Sequence, residues 1–407
     1  MIGNVHRIDN FDYSLISYLL RLSVCFFNHH AGNLHGLLRM NDENKTKSTN
    51  SIRDHLNAGG GTNIISGMQR GADILRMRRT RNTASCLFLL TDGQDRSNKE
   101  EKIALSRTLK DSGTALFVFG FGADHDAEHM MEISQAAEGG FSYIETDDTV
   151  AEAFGGALGS LQGNILLTNL NLRISAAAAE VQIQHATAGR YTTSIDSSKT
   201  VATVSIANMF CGEKRDVLLQ LSVPQVPHPC FSSLLSASLQ YSAFGETYIY
   251  PPSTSSVAGG ITCGVERVDD SDERLKLQVR ALEVDEQINR LTVTTATGSA
   301  MIAADRGDMA EARRILNAAL AVVTSSPSFA ANSLAANGLL QELRDAVNST
   351  ASREFYDRGG GKNSMCETYS STSQQRSVYT KTGKTNMYQS GSSTNYQDNF
   401  KSKKDGL

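Results

Sequence analysis

Apolar and polar residues follow two different patterns along this chain. Over the first 163 residues, short apolar runs such as RLSVCFFN (21–28) and TALFVFGFG (114–122) are separated by stretches with helical periodicity. One helical face carries an apolar residue at every third or fourth position, namely Ile64, Met68, Ala72 and Leu75. Buried strands that alternate with helices through short connections predict a doubly wound, mostly parallel α/β sheet.

The pattern then changes to strict alternation. Residues 164–270 contain runs such as TVATVSIAN, separated by turn residues and without long helices, which predicts an antiparallel β-sandwich. Helical periodicity returns over residues 271–350, which predicts a small segment of three packed helices. Residues 351–407 are rich in Ser, Thr, Tyr and Gly, and this composition predicts a disordered tail. We therefore expect four regions: 1–163, 164–270, 271–350 and 351–407.

Composition narrows the class of partner. The 407 residues carry a formal net charge of −4, which argues against a nucleic-acid-binding protein. The six cysteines form no C-x-x-C pair, which argues against a RING finger and a disulfide framework and fits a reducing compartment. The apolar stretch from Leu15 to Phe27 is too short to cross a bilayer and contains Arg21. We expect a cytoplasmic protein that binds neither nucleic acid nor membrane.

Two loops at predicted strand ends carry the candidate chemistry. Thr62 follows three consecutive glycines in GGGTN, and Asp92 ends the apolar run of LFLLTDGQD. Ligands of an open α/β sheet bind at the carboxyl ends of its strands, where both loops are expected. A hydroxyl and a carboxylate suit a hard cation, Mg²⁺ or Mn²⁺. Three glycines, Gly60, Gly61 and Gly93, are expected to let the backbone bend around that ion.

The segments GGGTNI, LFLLTDGQD and FVFGFGADHD together resemble the von Willebrand factor A (vWA) family over roughly residues 21–161. The resemblance implies a Rossmann-like fold with a metal-ion-dependent adhesion site. Thr62 and Asp92 match the second and third parts of that site. The first part, a D-x-S-x-S loop after the first strand, is not matched, since the nearest candidate is Asp12, Ser14 and Ser17 in DYSLIS. We therefore expect the first strand of the sheet to be missing and the metal site to be degenerate.

The order of the three regions resembles intracellular vWA proteins of plants and protists that carry a vWA-interacting region. This resemblance implies a non-enzymatic interaction protein or scaffold. An acidic residue of a protein partner would complete the coordination shell of its metal ion. Some plant relatives are ubiquitin ligases, so a link to the ubiquitin-ligase machinery is expected as well. A truncated fragment without function is the alternative that the unmatched first loop leaves open.

Other interpretations of the same residues stay open at this point. The segment HDAEH fits the H-x-x-E-H pattern of zinc proteases, which gives a zinc metallohydrolase with His125, Glu128 and His129 as the enzymatic alternative. The position of His125 after a strand favours an ordinary helix start instead. Thr62 is alternatively the N-cap of the following helix. Asp95 and Arg96 are expected to be solvated turn charges.

Overall fold

The chain forms two compact units in its computed structural model. The first unit comprises Met1–Asn82 and Asp95–Leu105, and the second comprises Thr83–Gln94 and Ser106–Leu407. The residues that the structure describes are 20–55, 61–80, 82, 84–92, 95, 97–123, 125–146, 150–162, 166–243, 245–251, 261–358, 360–377, 388–391, 394–395 and 397–398. Residues 1–19, which include the unmatched DYSLIS segment, lie outside them.

The described part of the first unit contains a β-hairpin, two helices and the start of a third. Strands β1 (Arg21–Phe27) and β2 (Ala31–Arg39) pair antiparallel. They are followed by α1 (Asp42–His55) and α2 (Ile64–Arg76). Ile64 and Met68, one turn apart in α2, are fully buried. The predicted apolar face of this helix is therefore the face that packs inward.

A three-stranded parallel sheet opens the second unit. Its order is β3 (Ser85–Thr91), β4 (Thr114–Phe121) and β5 (Gly140–Ile144). Three helices alternate with the strands, and the first begins in the first unit; they are α3 (Lys99–Asp111), α4 (Ala127–Ala136) and α5 (Val150–Gln162). Phe117 and Phe119 pack with Ala153 and Ala157 of α5. Leu116 and Val118, which point to the opposite face, are equally buried. Burial of both faces is typical of the predicted α/β sheet.

Two antiparallel sheets follow in the second unit. The strands are β6 (Leu166–Ala176), β7 (Gln182–Thr187), β8 (Thr192–Ile195), β9 (Val201–Phe210), β10 (Leu218–Ser222), β11 (Cys230–Ala243), β12 (Glu246–Tyr250) and β13 (Ile261–Arg267). The larger sheet has the order β12-β11-β6-β9-β8, with β13 also paired to β11, and the smaller sheet pairs β10 with β7. Every second residue of β9 is buried, and its Ala202 packs with Ile174 of the same sheet and Ile183 of the smaller one. These contacts form the core of the predicted β-sandwich.

A series of helices follows the two antiparallel sheets in the second unit. A 3₁₀ turn (Glu273–Leu277) precedes α6 (Leu282–Asp305), α7 (Met309–Thr324), α8 (Pro327–Ala330), α9 (Leu334–Ser349), α10 (Arg353–Arg358) and α11 (Gly361–Gln374). Gly307 separates α6 from α7 with a φ of +90°, which favours glycine. None of the described helices combines the length and the apolar character that a bilayer span requires.

The prediction of a disordered tail from residue 351 is wrong for residues 353–358 and 360–377. Helix α11 lies in the core, where Met365 and Cys366 have no exposed surface. The side chain of Thr372 donates to the carbonyl of Thr368 at 2.8 Å, and that of Ser373 to the carbonyl of Ser370 at 3.2 Å. Because these hydroxyls bond within their own helix, a Ser- and Thr-rich segment can be buried without leaving them unsatisfied. The composition predicts a solvated segment because it does not show that these hydroxyls bond within their own helix.

Candidate functional site

The loop before α2 places Thr62 just outside the helix. The N-cap of α2 is Asn63, whose side-chain oxygen accepts from the Ser66 amide at 3.0 Å. The alternative that Thr62 is the N-cap is therefore wrong. Thr62 is half-buried and precedes the cap by one residue. The role predicted for its hydroxyl as an ion ligand stays a prediction.

Gly61 shows why this loop contains glycine. Its amide donates to Nε2 of His29 at 3.1 Å, and a Cβ added to it would lie 2.6 Å from Cε1 of the same ring. Any side chain here would displace His29, which belongs to the β1–β2 turn. The hydrogen bond requires the His29 proton on Nδ1. Gly60 and Gly93, the other two predicted loop glycines, lie outside the described residues.

Asp95 forms a buried ion pair beside this loop, so its prediction as a solvated charge is wrong. Its Oδ2 atom lies 2.9 Å from Nζ of Lys102, and the two side chains are 2% and 0% exposed. The same oxygen accepts from the Ile64 amide at 2.8 Å. Burial raises the pKa of Asp95, but hydrogen bonds from Ser97, Lys102 and Ile64 outweigh it and hold the pKa below its ordinary value. Arg96 lies outside the described residues.

Asp92 stands at the carboxyl end of β3, as the sequence predicts. Its side chain is exposed, while Thr91 before it is buried in the sheet. Asp92 belongs to the second unit and Thr62 to the first. The union of the two in one ion site stays a prediction.

The donor set suits a hard cation. A threonine hydroxyl and an aspartate carboxylate offer oxygen ligands of the kind Mg²⁺ prefers. Within the part of the chain that the structure describes, no three His, Cys, Asp or Glu side chains converge as a metal site would require. Two protein ligands would leave most of the coordination shell to water and to a partner. The residues fit a weakly held Mg²⁺ or Mn²⁺ in chemical type.

The contacts of the HDAEH segment favour a helix start over a zinc centre. Asp126 is the N-cap of α4 and accepts from the His129 amide at 3.0 Å. The Glu128 carboxylate lies 2.9 Å from Nζ of Lys362 in α11 and forms an ion pair with it. The His125 ring packs against Phe141 and Tyr143 of β5. The Glu128 carboxylate of the supposed metallohydrolase is thus held by a lysine.

Comparison with known proteins agrees with the motifs. The family model described as von Willebrand factor type A domain matches residues 6–156. The chain is 26% identical to the E3 ubiquitin-protein ligase WAV3 of Arabidopsis thaliana over 192 residues, which are 46% of this chain and 24% of that protein. It is 24% identical to the probable E3 ubiquitin-protein ligase WAVH2 of the same plant over 216 residues, 52% of this chain and 29% of that protein. The chain thus spans less than a third of these relatives.

A solved structure extends the likeness beyond the matched domain. The von Willebrand factor type A protein from Catenulispora acidiphila superposes with a TM-score of 0.63 at 16% identity, over 88% of this chain and 82% of that one. At this identity the match speaks for the fold alone, and its coverage takes in residues well past 156. Motifs and family model agree that residues 6–156 of the chain belong to a von Willebrand factor type A domain, and the solved structure agrees in fold.

Proposed function

We propose that this protein is a non-enzymatic interaction module or scaffold that binds a protein partner through its vWA domain. The observation that carries this proposal is the match of residues 6–156 to the vWA family, a protein-interaction domain. The position of Asp92 at the carboxyl end of β3 supports it, because ligands of α/β sheets bind at that edge.

The binding chemistry proposed for this face is metal-dependent. Thr62 and Asp92 would hold Mg²⁺ or Mn²⁺, with Gly60, Gly61 and Gly93 shaping the two loops. Mg²⁺ keeps several waters when few protein ligands are present. A carboxylate of the partner replaces one of these waters and completes the shell, so an acidic residue on the partner is the recognised group. The ion supplies the positive charge that an acidic partner residue needs, since the chain itself offers one carboxylate and one neutral hydroxyl at this position.

The names of the relatives favour a role in ubiquitin-dependent processes. Both Arabidopsis proteins are named as E3 ubiquitin-protein ligases or probable ones, and this chain aligns with 24% and 29% of their lengths. We propose that this chain supplies partner binding for such a process. The ligase chemistry would then come from a part of the machinery other than the segment aligned here.

A comparative capture experiment tests this function. Tagged wild-type protein and the Asp92→Ala variant are incubated with a cell extract in Mg²⁺ or in EDTA, and bound proteins are quantified by mass spectrometry. Asp270→Ala, which removes an exposed aspartate between β13 and α6, is the matched control. We expect a set of proteins, ubiquitin-ligase components among them, that requires both Mg²⁺ and Asp92 but not Asp270. A bound set that depends on neither Mg²⁺ nor Asp92 would contradict the proposal.

A further inference from the structure

We propose that an arginine cluster in the first unit is a docking surface that binds an acidic segment of a protein partner without a metal ion. It brings together the start of β1, the end of β2 and the end of α2. All of its members belong to the first unit, and they are Arg21, Arg39, Arg76, Arg78 and Arg79. The cluster lies at the opposite end of α2 from Thr62, so this inference does not depend on the proposed ion site.

Two arginines of the cluster stand directly opposite each other in the hairpin. Arg21 is the partner of Arg39 in the register of β1 and β2. Side chains of directly opposite residues lie on the same face of a hairpin, with Cβ atoms about 5 Å apart, and like charges in such a pair lower stability. An anion bound between the two guanidinium groups would relieve this repulsion.

The segment after α2 adds further positive charge to this pair. The Arg21 guanidinium donates from Nη1 to the Thr80 carbonyl at 3.2 Å and from Nη2 to the Asn82 side-chain oxygen at 3.3 Å. Arg79, directly before Thr80, is exposed. Residues 76–82, RMRRTRN, contain four arginines and no acidic residue, whereas the whole chain has a formal net charge of −4. The end of α2 therefore concentrates positive charge beside Arg21.

Most of this charge has no acidic partner within the unit. The ion pairs in the described part of the first unit are Arg76 with Asp73, Lys45 with Asp42 and Lys102 with Asp95. None of them uses Arg21, Arg39 or Arg79. Arg78 donates to the Leu75 carbonyl at 2.7 Å and so interacts with the last turn of α2. The surface is therefore complementary to a ligand that carries several negative charges.

The residue types favour carboxylates of a protein as that ligand. Every cationic residue of the cluster is arginine, whose planar guanidinium can bind a carboxylate through two parallel hydrogen bonds. Met77, which lies between two of these arginines in the chain, is 65% exposed and offers an apolar contact. Arginine and methionine are enriched in protein–protein interfaces, whereas lysine is depleted. We therefore expect a partner segment with Asp or Glu on both sides of an apolar side chain.

A labelled peptide of six glutamates and two leucines is the probe, and its binding to the full chain is measured by fluorescence anisotropy in EDTA. Arg39→Gln with Arg79→Gln removes two exposed charges that form no ion pair among the described residues. Exposed ion pairs are individually weak, so the affinity of this double variant should be about tenfold lower than that of wild type. The affinity of wild type should itself fall as salt rises from about 0.05 to about 0.5 M, because salt screens exposed charges.

A second pair of arginines provides the matched control. Arg313→Gln with Arg344→Gln removes two exposed charges from α7 and α9, so its net charge equals that of the double variant. The control should bind the peptide as wild type does. Stability gives a second readout, because Arg39→Gln removes the like-charge pair and its midpoint of urea unfolding should equal or exceed that of wild type. A residue with a structural role would instead lower the midpoint.

The outcomes separate this surface from the proposed ion site and from other anionic ligands. Equal affinities of the double variant and the control would overturn the proposal, and so would peptide binding that is insensitive to salt. Tighter binding to double-stranded DNA or to phosphatidylserine vesicles than to the peptide would overturn the assignment to an acidic protein segment. Asp92→Ala should bind the peptide as wild type does, and a loss of binding there would assign the peptide to the ion site and overturn this inference.

Discussion

Arg376, which follows the C-cap residue of α11, offers a sharp test of how the C-terminal region is held. Its guanidinium donates to both oxygens of Glu213, from Nε at 2.7 Å and from Nη2 at 2.8 Å. It also donates to the side-chain oxygen of Asn208 at 3.0 Å and to the carbonyl of Glu138. The Arg376 side chain is 0% exposed and that of Glu213 is 4% exposed. Arg376→Met removes the charge and its hydrogen bonds while keeping most of the side-chain volume.

The loss of stability in Arg376→Met depends on the partners that Glu213 keeps. Removal of one partner from a buried ion pair lowers the free energy of unfolding by about 3–5 kcal/mol. Glu213 would keep Arg215, whose Nη2 atom lies 3.0 Å from its carboxylate, so the lower end applies. Burial raises the pKa of Glu213, yet the charges of Arg215 and Arg376 outweigh it and lower the pKa to about 2. That net shift, in which burial opposes the arginines and the Phe210 amide, corresponds to about 3 kcal/mol in favour of the charged carboxylate. We expect Arg376→Met to lower the free energy of unfolding by about 3 kcal/mol.

Urea unfolding measures this change through the midpoint of the transition. Arg314→Met is the control, because Arg314 pairs with Glu311 on the surface of α7 with side-chain exposures of 69% and 39%. Exposed pairs contribute little, so the control should unfold at nearly the wild-type urea concentration. A midpoint for Arg376→Met as close to wild type as that of the control would refute the docking of residues 375–377 against the β-sandwich.

Three further predictions concern the same region. Because the pKa of Glu213 is lowered from 4.5 to about 2, its contribution to stability is present above about pH 4.5 and is lost as the pH falls toward 2. Glu213→Gln should therefore be less stable than wild type at pH 7 and lose less stability on acidification. Acid titrations followed by circular dichroism test this, and equal losses of stability in the two proteins would contradict it. Gly189→Ala should lower the thermal midpoint by several degrees, since Gly189 has a φ of +66° and a Cβ there would overlap with the Ser373 carbonyl; an unchanged midpoint would mean that the two segments do not touch. Maleimide should label the exposed Cys211, Cys230 and Cys263 in the native protein, whereas Cys366, whose pKa is raised by burial, should react only on unfolding; rapid native labelling of Cys366 would show that α11 is not packed.

Local sequence patterns predict the helices and strands whose buried residues recur at a regular spacing along the chain. The apolar run of β4 and the helical face of Ile64 and Met68 need no knowledge of distant residues, and both are buried as expected. The alternation in β9 likewise predicts its buried face. In each case the period of the apolar residues equals the period of the element, so the sequence alone identifies the face that packs inward.

Residues held by distant partners could not be predicted in this way. Helix α11 is anchored where the Glu367 carboxylate accepts from the Tyr143 amide, 224 residues away in the chain, and no local pattern signals that contact. The position of Asp95 in a turn predicts a solvent-exposed side chain. That prediction fails because the lysine partner is seven residues away on α3 and the amide of Ile64 comes from an earlier helix. His29 likewise carries no sequence signal for its contact with Gly61.

For the candidate site, motif order predicted the placement of its parts. Asp92 does follow β3, and Thr62 does precede α2. The identity of the N-cap depended on backbone geometry, since Thr62 and Asn63 are both good capping residues and Asn63 takes the position.

Titration of the purified chain with Mg²⁺ and Mn²⁺ by isothermal calorimetry tests the central claim most directly. Wild type, Asp92→Ala and the Asp270→Ala control are measured in the same buffer. We expect saturable binding of one ion to wild type and to the control, and none to Asp92→Ala. Equal heats for wild type and Asp92→Ala, with or without binding, would contradict an ion site at Asp92 and leave a metal-independent interaction surface in its place.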